Sequence, residues 1–187
     1  MNPQDELNAL TGLFDGGDAI FGSAVHIPSA MTPEPYKQML VHDHHMTVTM
    51  ENFHGTAVDV RIIDQIDSEG LYCRKIVLLK TGTEEVVQFG IVRFNFHYVT
   101  DDVRSEIVDG KTPLGRVLIK HNVLRHIDLG AIIRVTAGEE LAGLLQMKSG
   151  ETTFGRLATI FCNECPAVDL LEISAPLVTD ESSHGDP

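Results

Sequence analysis

The sequence has few cysteines and no apolar run long enough to cross a membrane. Its three cysteines, Cys73, Cys162 and Cys165, are too few and odd in number for a framework of disulfides. No window approaches the roughly 18 consecutive apolar residues of a membrane helix. The first ten residues, "MNPQDELNAL", lack the basic-then-apolar order of a signal peptide. We therefore expect a cytoplasmic protein that does not enter a membrane.

Positive charge is also scarce. The chain has 14 Lys and Arg residues against 27 Asp and Glu residues, which gives a formal net charge of -13. Such a chain repels nucleic acids and anionic membrane surfaces at long range, so neither is expected as a partner. A small anionic ligand stays possible, because a cleft that concentrates a few arginines creates a local positive field. The oligomeric state is left open.

Several familiar catalytic motifs are missing as well. The chain contains no Walker A, GxGxxG or GxSxG pattern, so nucleotide and serine-hydrolase chemistry have no motif support. The "CNEC" stretch, residues 162–165, has the spacing of half a zinc ribbon or of a redox dithiol. No second CxxC pair accompanies it, and it lies at the end of a predicted strand. We interpret it as two small apolar side chains flanking a turn.

A histidine cluster is the strongest indication of a metal. The stretch "LVHDHHMTVTM", residues 40–50, places His42, His44 and His45 within four positions. Imidazole is a common zinc ligand, but a regular strand would turn at most two of the three toward one ion, and no HExxH motif is present. We interpret the cluster as the edge of a first strand and expect no metal and no cofactor. A metal-dependent enzyme that uses these histidines remains an alternative.

The hydrophobic pattern predicts strands over much of the chain. Segments that alternate with a period of two, or that are strongly apolar and rich in β-branched residues, predict strands. The connections between the first four predicted strands are too short for a crossover helix, so these strands are expected to be antiparallel. Helical spacing and capping residues predict a few short helices. The fold class is therefore α+β, a single antiparallel β-sheet curled over short helices. The predicted strands cover 45–53, 57–66, 71–80, 85–99, 127–136, 153–162 and 167–176, and the predicted helices cover about 3–14, 33–42, 100–110 and 112–124.

Ionisable residues occur inside the apolar strands. Arg74, Arg134, Arg156 and Glu172 each lie in such a segment. Any one of them alone would be expected on the wet face of a half-buried sheet. Several together, in a sheet covered by helices, favour a charged pocket, in which arginines bind carboxylates and a glutamate among aliphatic side chains handles a proton or hydroxyl.

Five motifs follow one another over residues 40–176: "HHMT", "YCRKIVL", "GKTPLGRVL", "TFGR" and "LLEISAP". As an ordered set they resemble the chorismate lyase family, the chorismate pyruvate-lyases that make hydroxybenzoate. The resemblance implies a chorismate lyase-like domain over 41–176. Residues 1–40 depart from the family pattern as an N-terminal helical extension, and residues 177–187 form a tail whose polar composition predicts disorder. The stretch "VTAGEELAGLLQMKSGE" departs from the family pattern as an apparent insertion.

The resemblance also implies roles for five residues. Arg74 corresponds to the arginine that grips the substrate carboxylate, and Glu172 to the glutamate that meets the ring hydroxyl beside the breaking bond. Met46 corresponds to a pocket-lining methionine, Gly115 to a glycine whose backbone amide contacts the ligand, and Arg156 to a further anion contact. The implied activity is elimination of pyruvate from chorismate without a cofactor. The protein would hold the dianion and exclude water beneath the helices of 100–110 and 112–124.

Two alternatives to this activity stay open at this point. The first is a non-catalytic protein that binds a small aromatic or dicarboxylate ligand on the same fold. A related fold serves as a ligand-sensing module in transcriptional regulators, although the residues before the sheet are too few and too acidic for a helix-turn-helix domain. The second is the metal-dependent enzyme. The product isomer, 3-hydroxybenzoate or 4-hydroxybenzoate, is not fixed by these residues.

Overall fold

A seven-stranded antiparallel sheet organises the part of the chain that the computed structural model describes, residues 2–16, 20–68 and 71–177. The strands lie in the order β1-β5-β6-β7-β4-β3-β2, and every neighbouring pair is antiparallel. The predicted α+β fold class is confirmed. The strands are β1 (Phe21–Ile27), β2 (Val58–Ser68), β3 (Leu71–Lys80), β4 (Val86–Asn95), β5 (Arg125–Ala137), β6 (Thr152–Cys162) and β7 (Cys165–Ser174).

Short helices cover both faces of this sheet. The helices are α1 (Pro3–Thr11), α2 (Tyr36–Leu40), α3 (Met46–His54), α4 (Asp101–Asp109), α5 (Leu114–Lys120) and α6 (Glu139–Leu144), with 3-10 turns at Ser29–Met31 and Phe96–Tyr98. Helices α1 and α6 pack on one face, and α2, α3, α4 and α5 pack on the other. None of the helices in the described ranges is long and apolar enough to cross a membrane.

The segment predicted as the first strand is a helix, so that prediction was wrong. Residues 46–54 form α3, whose buried residues Met46, Thr47 and Met50 recur at helical spacing. The helix ends at Gly55, which has φ 66° in the left-handed region that glycine adopts without strain. The β-branched residues that suggested a strand are overridden by the fit of this apolar stripe against the sheet.

The N-terminal segment is not a purely helical extension. Residues 21–27, to which the hydrophobic pattern assigned no element, form β1 and pair with β5 at one edge of the sheet. As an edge strand, β1 is only partly buried and shows no clean alternation of apolar and polar residues. The segment that resembled an insertion contains the end of β5 and α6. The tail that the composition predicts to be disordered, residues 177–187, lies outside the described residues from residue 178 onward.

Helix α1 brings an acidic side chain close to an ion pair on the sheet. Nη2 of Arg93 on β4 lies 2.7 Å from Oδ2 of Asp169 on β7. Burial, followed by the negative charge of Asp169, raises the pKa of Glu6 on α1, and Arg93 offsets only part of this. An ionised Glu6 therefore opposes the docking of α1.

Replacing Glu6 with glutamine is expected to raise the free energy of unfolding at pH 7. A carboxyl whose pKa rises on folding destabilises the folded protein above that raised pKa, and the effect vanishes below the ordinary pKa. The gain should therefore be present at pH 7 and absent near about pH 3.5 in urea titrations. Asp5→Asn, on the same helix but exposed, should give no comparable gain. Equal gains at both pH values would contradict the electrostatic explanation.

Candidate functional site

A cavity lies between the sheet and the beginnings of α3 and α5. The five residues singled out by the family resemblance all line it: Arg74, Met46, Gly115, Arg156 and Glu172. The structure thus brings them together from five different elements, while their roles toward a ligand stay predictions. Most of the other lining residues are aliphatic.

Strand register explains why the charged residues meet. Residues paired across neighbouring strands point to the same face of a sheet. Arg156 on β6 pairs with Glu172 on β7, Glu172 pairs with Gly90 on β4, and Gly90 pairs with Ile76 on β3. Arg74 lies two residues before Ile76 and shares its face. Gly90 contributes no side chain, and a Cβ there would lie 3.3 Å from Cγ1 of Ile76, so the side chain of Ile76 packs closely over this glycine.

The guanidinium of Arg74 is buried and has no carboxylate partner among the described residues. The residue is 1% exposed. Its Nη1 donates a long hydrogen bond of 3.4 Å to the backbone oxygen of Ile107 in α4, and its Nε has no partner. Among the described residues no ion pair joins it to a carboxylate. Burial lowers its pKa, and the neighbouring hydroxyl of Tyr72 offsets part of this, but an arginine stays charged in proteins. The hydroxyl of Tyr72 is a neutral neighbour and supplies no counter-charge.

Arg156, by contrast, is buried, and each of its three guanidinium nitrogens donates a hydrogen bond. It is 0% exposed, and its Nε donates to Oε2 of Glu172 at 2.7 Å. Its Nη1 and Nη2 donate to the backbone oxygens of His42 and His44, each at 3.0 Å. These partners occupy most of its donors, so Arg156 fixes Glu172 and the turn before α3. This geometry favours a positioning role over the anion contact that the resemblance implied.

His45 is a cavity residue that the sequence interpretation missed. It is the N-cap residue of α3, and its Nε2 accepts a hydrogen bond of 2.7 Å from Nε of Arg125. Burial, followed by the charges of Arg125 and Arg156, lowers its pKa to about 4. The ring is therefore neutral at neutral pH and carries its proton on Nδ1. The sequence signal was the helical spacing of Met46 and Met50, which places His45 at the start of a helix.

The other histidines of the cluster serve the turn. Nε2 of His42 donates to the backbone oxygen of Met39 at 2.6 Å, and its Nδ1 accepts from the backbone N–H of His44 at 3.1 Å. Burial, followed by Arg156, lowers the pKa of His42. Within the described ranges no group of three His, Cys, Asp or Glu side chains is arranged to hold a metal ion. We propose no metal step.

Two further sequence candidates lie away from the cavity. Arg134 on β5 is exposed. Cys162 and Cys165 face each other across the β6–β7 hairpin, whose turn residues Asn163 and Glu164 have φ 51° and 68°. Both are free thiols, and burial raises the pKa of Cys162 to about 11. The stretch is thus a tight hairpin turn of the kind that requires two positive φ angles.

Gly115 allows α5 to approach His45 closely. A Cβ at position 115 would lie 3.1 Å from both Cβ and Cγ of His45, and the hydrogen bond from Arg125 restrains that ring. Gly115→Ala is therefore expected to lower the free energy of unfolding by about 1–2 kcal/mol, despite the better helix propensity of alanine. Gly143→Ala in α6 is the matched control, because no atom lies within 4 Å of the added Cβ. Urea titrations should show a gain for that control; a gain at both positions would contradict the close approach.

Comparison with known proteins gives a match in fold and none in sequence. No family model matches the chain, and no curated protein matches it. The effector domain of PhnF from Mycobacterium smegmatis superposes with a TM-score of 0.51 at 11% identity, over 71% of this chain and 88% of that domain. The ligand-binding domain of a putative GntR-family transcriptional regulator from Bordetella bronchiseptica superposes with a TM-score of 0.50 at 13% identity, over 66% and 86%.

The shared property is the fold. The chain shares with these two domains an α+β fold built on an antiparallel sheet. Against the longer PhnF chain, the match spans 73% of this chain and 66% of that one, with a TM-score of 0.51. At such low identity the superposition carries no residue roles across. Any assignment of function must therefore come from the cavity.

Proposed function

We propose that the protein binds a small molecule with a carboxylate group in this cavity, and that Arg74 holds the carboxylate. The supporting observation is the buried guanidinium of Arg74, which has no anionic partner in the described chain. An uncompensated charge inside a protein costs several kcal/mol. A ligand carboxylate would accept two parallel hydrogen bonds from the guanidinium and neutralise it.

The charges around the cavity favour a monoanion with an apolar body. Arg156 and Glu172 neutralise each other at 2.7 Å, and the lowered pKa of His45 keeps that ring neutral. Arg74 is then the one uncompensated charge among the lining residues. An aromatic or alicyclic carboxylate matches this charge and the aliphatic walls. A dianion such as chorismate would bring a second negative charge, for which the lining residues hold no further uncompensated positive charge.

Calorimetric titration tests the binding proposal. The chain has no tryptophan, so calorimetry is preferable to intrinsic fluorescence. Benzoate, 3-hydroxybenzoate, 4-hydroxybenzoate and chorismate are titrated into the protein, with benzamide as the neutral analogue. At least one carboxylate is expected to bind at least about tenfold more tightly than benzamide. Failure of every carboxylate to bind would overturn the proposal.

A second candidate, chorismate lyase activity, is favoured by one specific observation. Glu172 lines the same cavity as Arg74, and Arg156 holds its carboxylate in place. In the reaction the ether bond between the ring and the enolpyruvyl oxygen breaks, the ring loses a proton and becomes aromatic, and the enolpyruvate takes a proton on its methylene carbon to become pyruvate. Arg74 would hold the ring carboxylate, and Glu172 would accept a hydrogen bond from the ring hydroxyl. The cavity would exclude water during the reaction.

Pyruvate release distinguishes this enzyme from a binding protein. The protein is incubated with chorismate, with and without a chelator, and pyruvate and the aromatic product are followed together. Pyruvate above the spontaneous background, lost in Glu172→Gln and insensitive to the chelator, would support the lyase. No pyruvate above background would remove this candidate and leave the binding proposal standing. Activity abolished by the chelator would instead favour the metal-dependent alternative.

A further inference from the structure

Gln88 is a second polar side chain in the cavity with an unsatisfied atom. It lies on β4, two residues before Gly90, and lines the same cavity. The residue is 2% exposed, and its Oε1 is buried without a hydrogen-bond partner. Buried side-chain amides nearly always find partners, so an orphaned amide oxygen beside a cavity indicates a missing donor. No motif of the sequence pointed to this neutral residue.

The sheet register places Gln88 and Arg74 at opposite ends of the cavity floor. Arg74 pairs with Val92 on β4, and Gln88 lies four residues from Val92 on the same strand. Four residues of a strand span about 13 Å. Gly90 lies midway between Val92 and Gln88 on β4, and Arg74 and Gln88 both line the cavity on either side of it. A ligand held by Arg74 at its carboxylate would therefore present its far end to Gln88.

We propose that Gln88 is a specificity-determining residue that accepts a hydrogen bond from a hydroxyl group on the ligand, at the end opposite the carboxylate. The inference rests on the proposed function, because Arg74 sets the orientation of the ligand. It goes further by defining the ligand class as a hydroxylated carboxylate. A site built to bond a hydroxyl rejects the analogue that lacks it, since the buried acceptor then stays unpaired.

Two matched ligand pairs test this contact by calorimetry. The first pair is benzoate and 4-hydroxybenzoate, and the second is 4-methylbenzoate and 4-(hydroxymethyl)benzoate, which reaches further. The wild-type protein is expected to prefer the hydroxylated member of at least one pair by about tenfold. Gln88→Met, which removes the acceptor at similar volume, should reduce that preference to about twofold or less. Gln38→Met, the same change at an exposed position of α2, should keep the wild-type preference.

A variant with a shorter amide side chain, Gln88→Asn, distinguishes a contact with the ligand from a purely structural role, because only a contact would change which hydroxylated ligand is preferred. Gln88→Asn withdraws the amide by one methylene, so the preference should shift from 4-hydroxybenzoate toward the longer 4-(hydroxymethyl)benzoate. This variant also keeps the test decisive if Gln88→Met does not fold. Binding of benzoate with no hydroxyl preference, or a preference that Gln88→Met and Gln88→Asn both leave unchanged, would overturn the role of Gln88 alone. Absence of binding for all four ligands would overturn it together with the proposed function.

Discussion

Replacing Arg74 with methionine is expected to abolish carboxylate binding and at the same time to make the protein more stable. The affinity for the tightest carboxylate should fall by about 100-fold or more, because a desolvated charge contact is lost. The free energy of unfolding should rise by about 1–3 kcal/mol, because the buried guanidinium has one long hydrogen bond to a backbone oxygen, the neutral hydroxyl of Tyr72 beside it and no counter-ion in the described chain. Calorimetric titration and urea denaturation measure the two quantities on the same preparation.

The opposite signs of the two effects make this prediction specific. A variant that loses binding because its fold is damaged would lose stability as well. Arg134→Met, the same change at an exposed position of β5, is the matched control and should leave both quantities near their wild-type values, within about 0.5 kcal/mol. A marked loss of stability in Arg74→Met would mean that the native protein already satisfies this guanidinium, and the argument for a ligand carboxylate would fail.

Most of the strands of the sheet could be predicted from the sequence. Side chains alternate in a strand, so Arg74, Arg156 and Glu172 could be assigned to strands of one sheet before any register was known. Which of them share a face depends on the pairing, however. Arg156 and Glu172 are cross-strand partners, whereas Arg74 lies two strands away from Glu172. The local sequence pattern therefore does not determine which of the two arginines forms the ion pair with Glu172.

The parts that could not be predicted depend on tertiary context. The segment of α3 has strand-like composition, and its helical form is decided by where Met46 and Met50 fit against the sheet. Strand β1 has little burial pattern because backbone pairing with β5 holds it at an edge. Gln88 is conspicuous only once its burial and its missing partner are known. In each case the deciding contact joins residues far apart in the chain.

The two buried arginines are expected to have opposite effects on stability when each is replaced with methionine. Arg156→Met is expected to lower the free energy of unfolding by about 3–5 kcal/mol, whereas Arg74→Met raises it. The difference arises because Arg156 neutralises the buried carboxylate of Glu172 and satisfies the backbone oxygens of His42 and His44. Removing it leaves one charge and two acceptors without their donor. Urea denaturation of both variants under the same conditions tests the difference in sign.

A double variant separates two contributions of Arg156 to stability: neutralising Glu172 and bonding the turn before α3. In Arg156→Met/Glu172→Leu the unpaired carboxylate is gone, so part of the lost stability should return, by about 1–3 kcal/mol relative to Arg156→Met. The carbonyls of His42 and His44 remain unbonded, so hydrogen exchange in residues 42–45 should be faster in both variants than in wild type. Since His45 lines the cavity, ligand affinity should be lower than in the wild-type protein in both variants. Full recovery of stability and slow exchange would show that Arg156 serves Glu172 alone, and that the turn before α3 holds its shape without it.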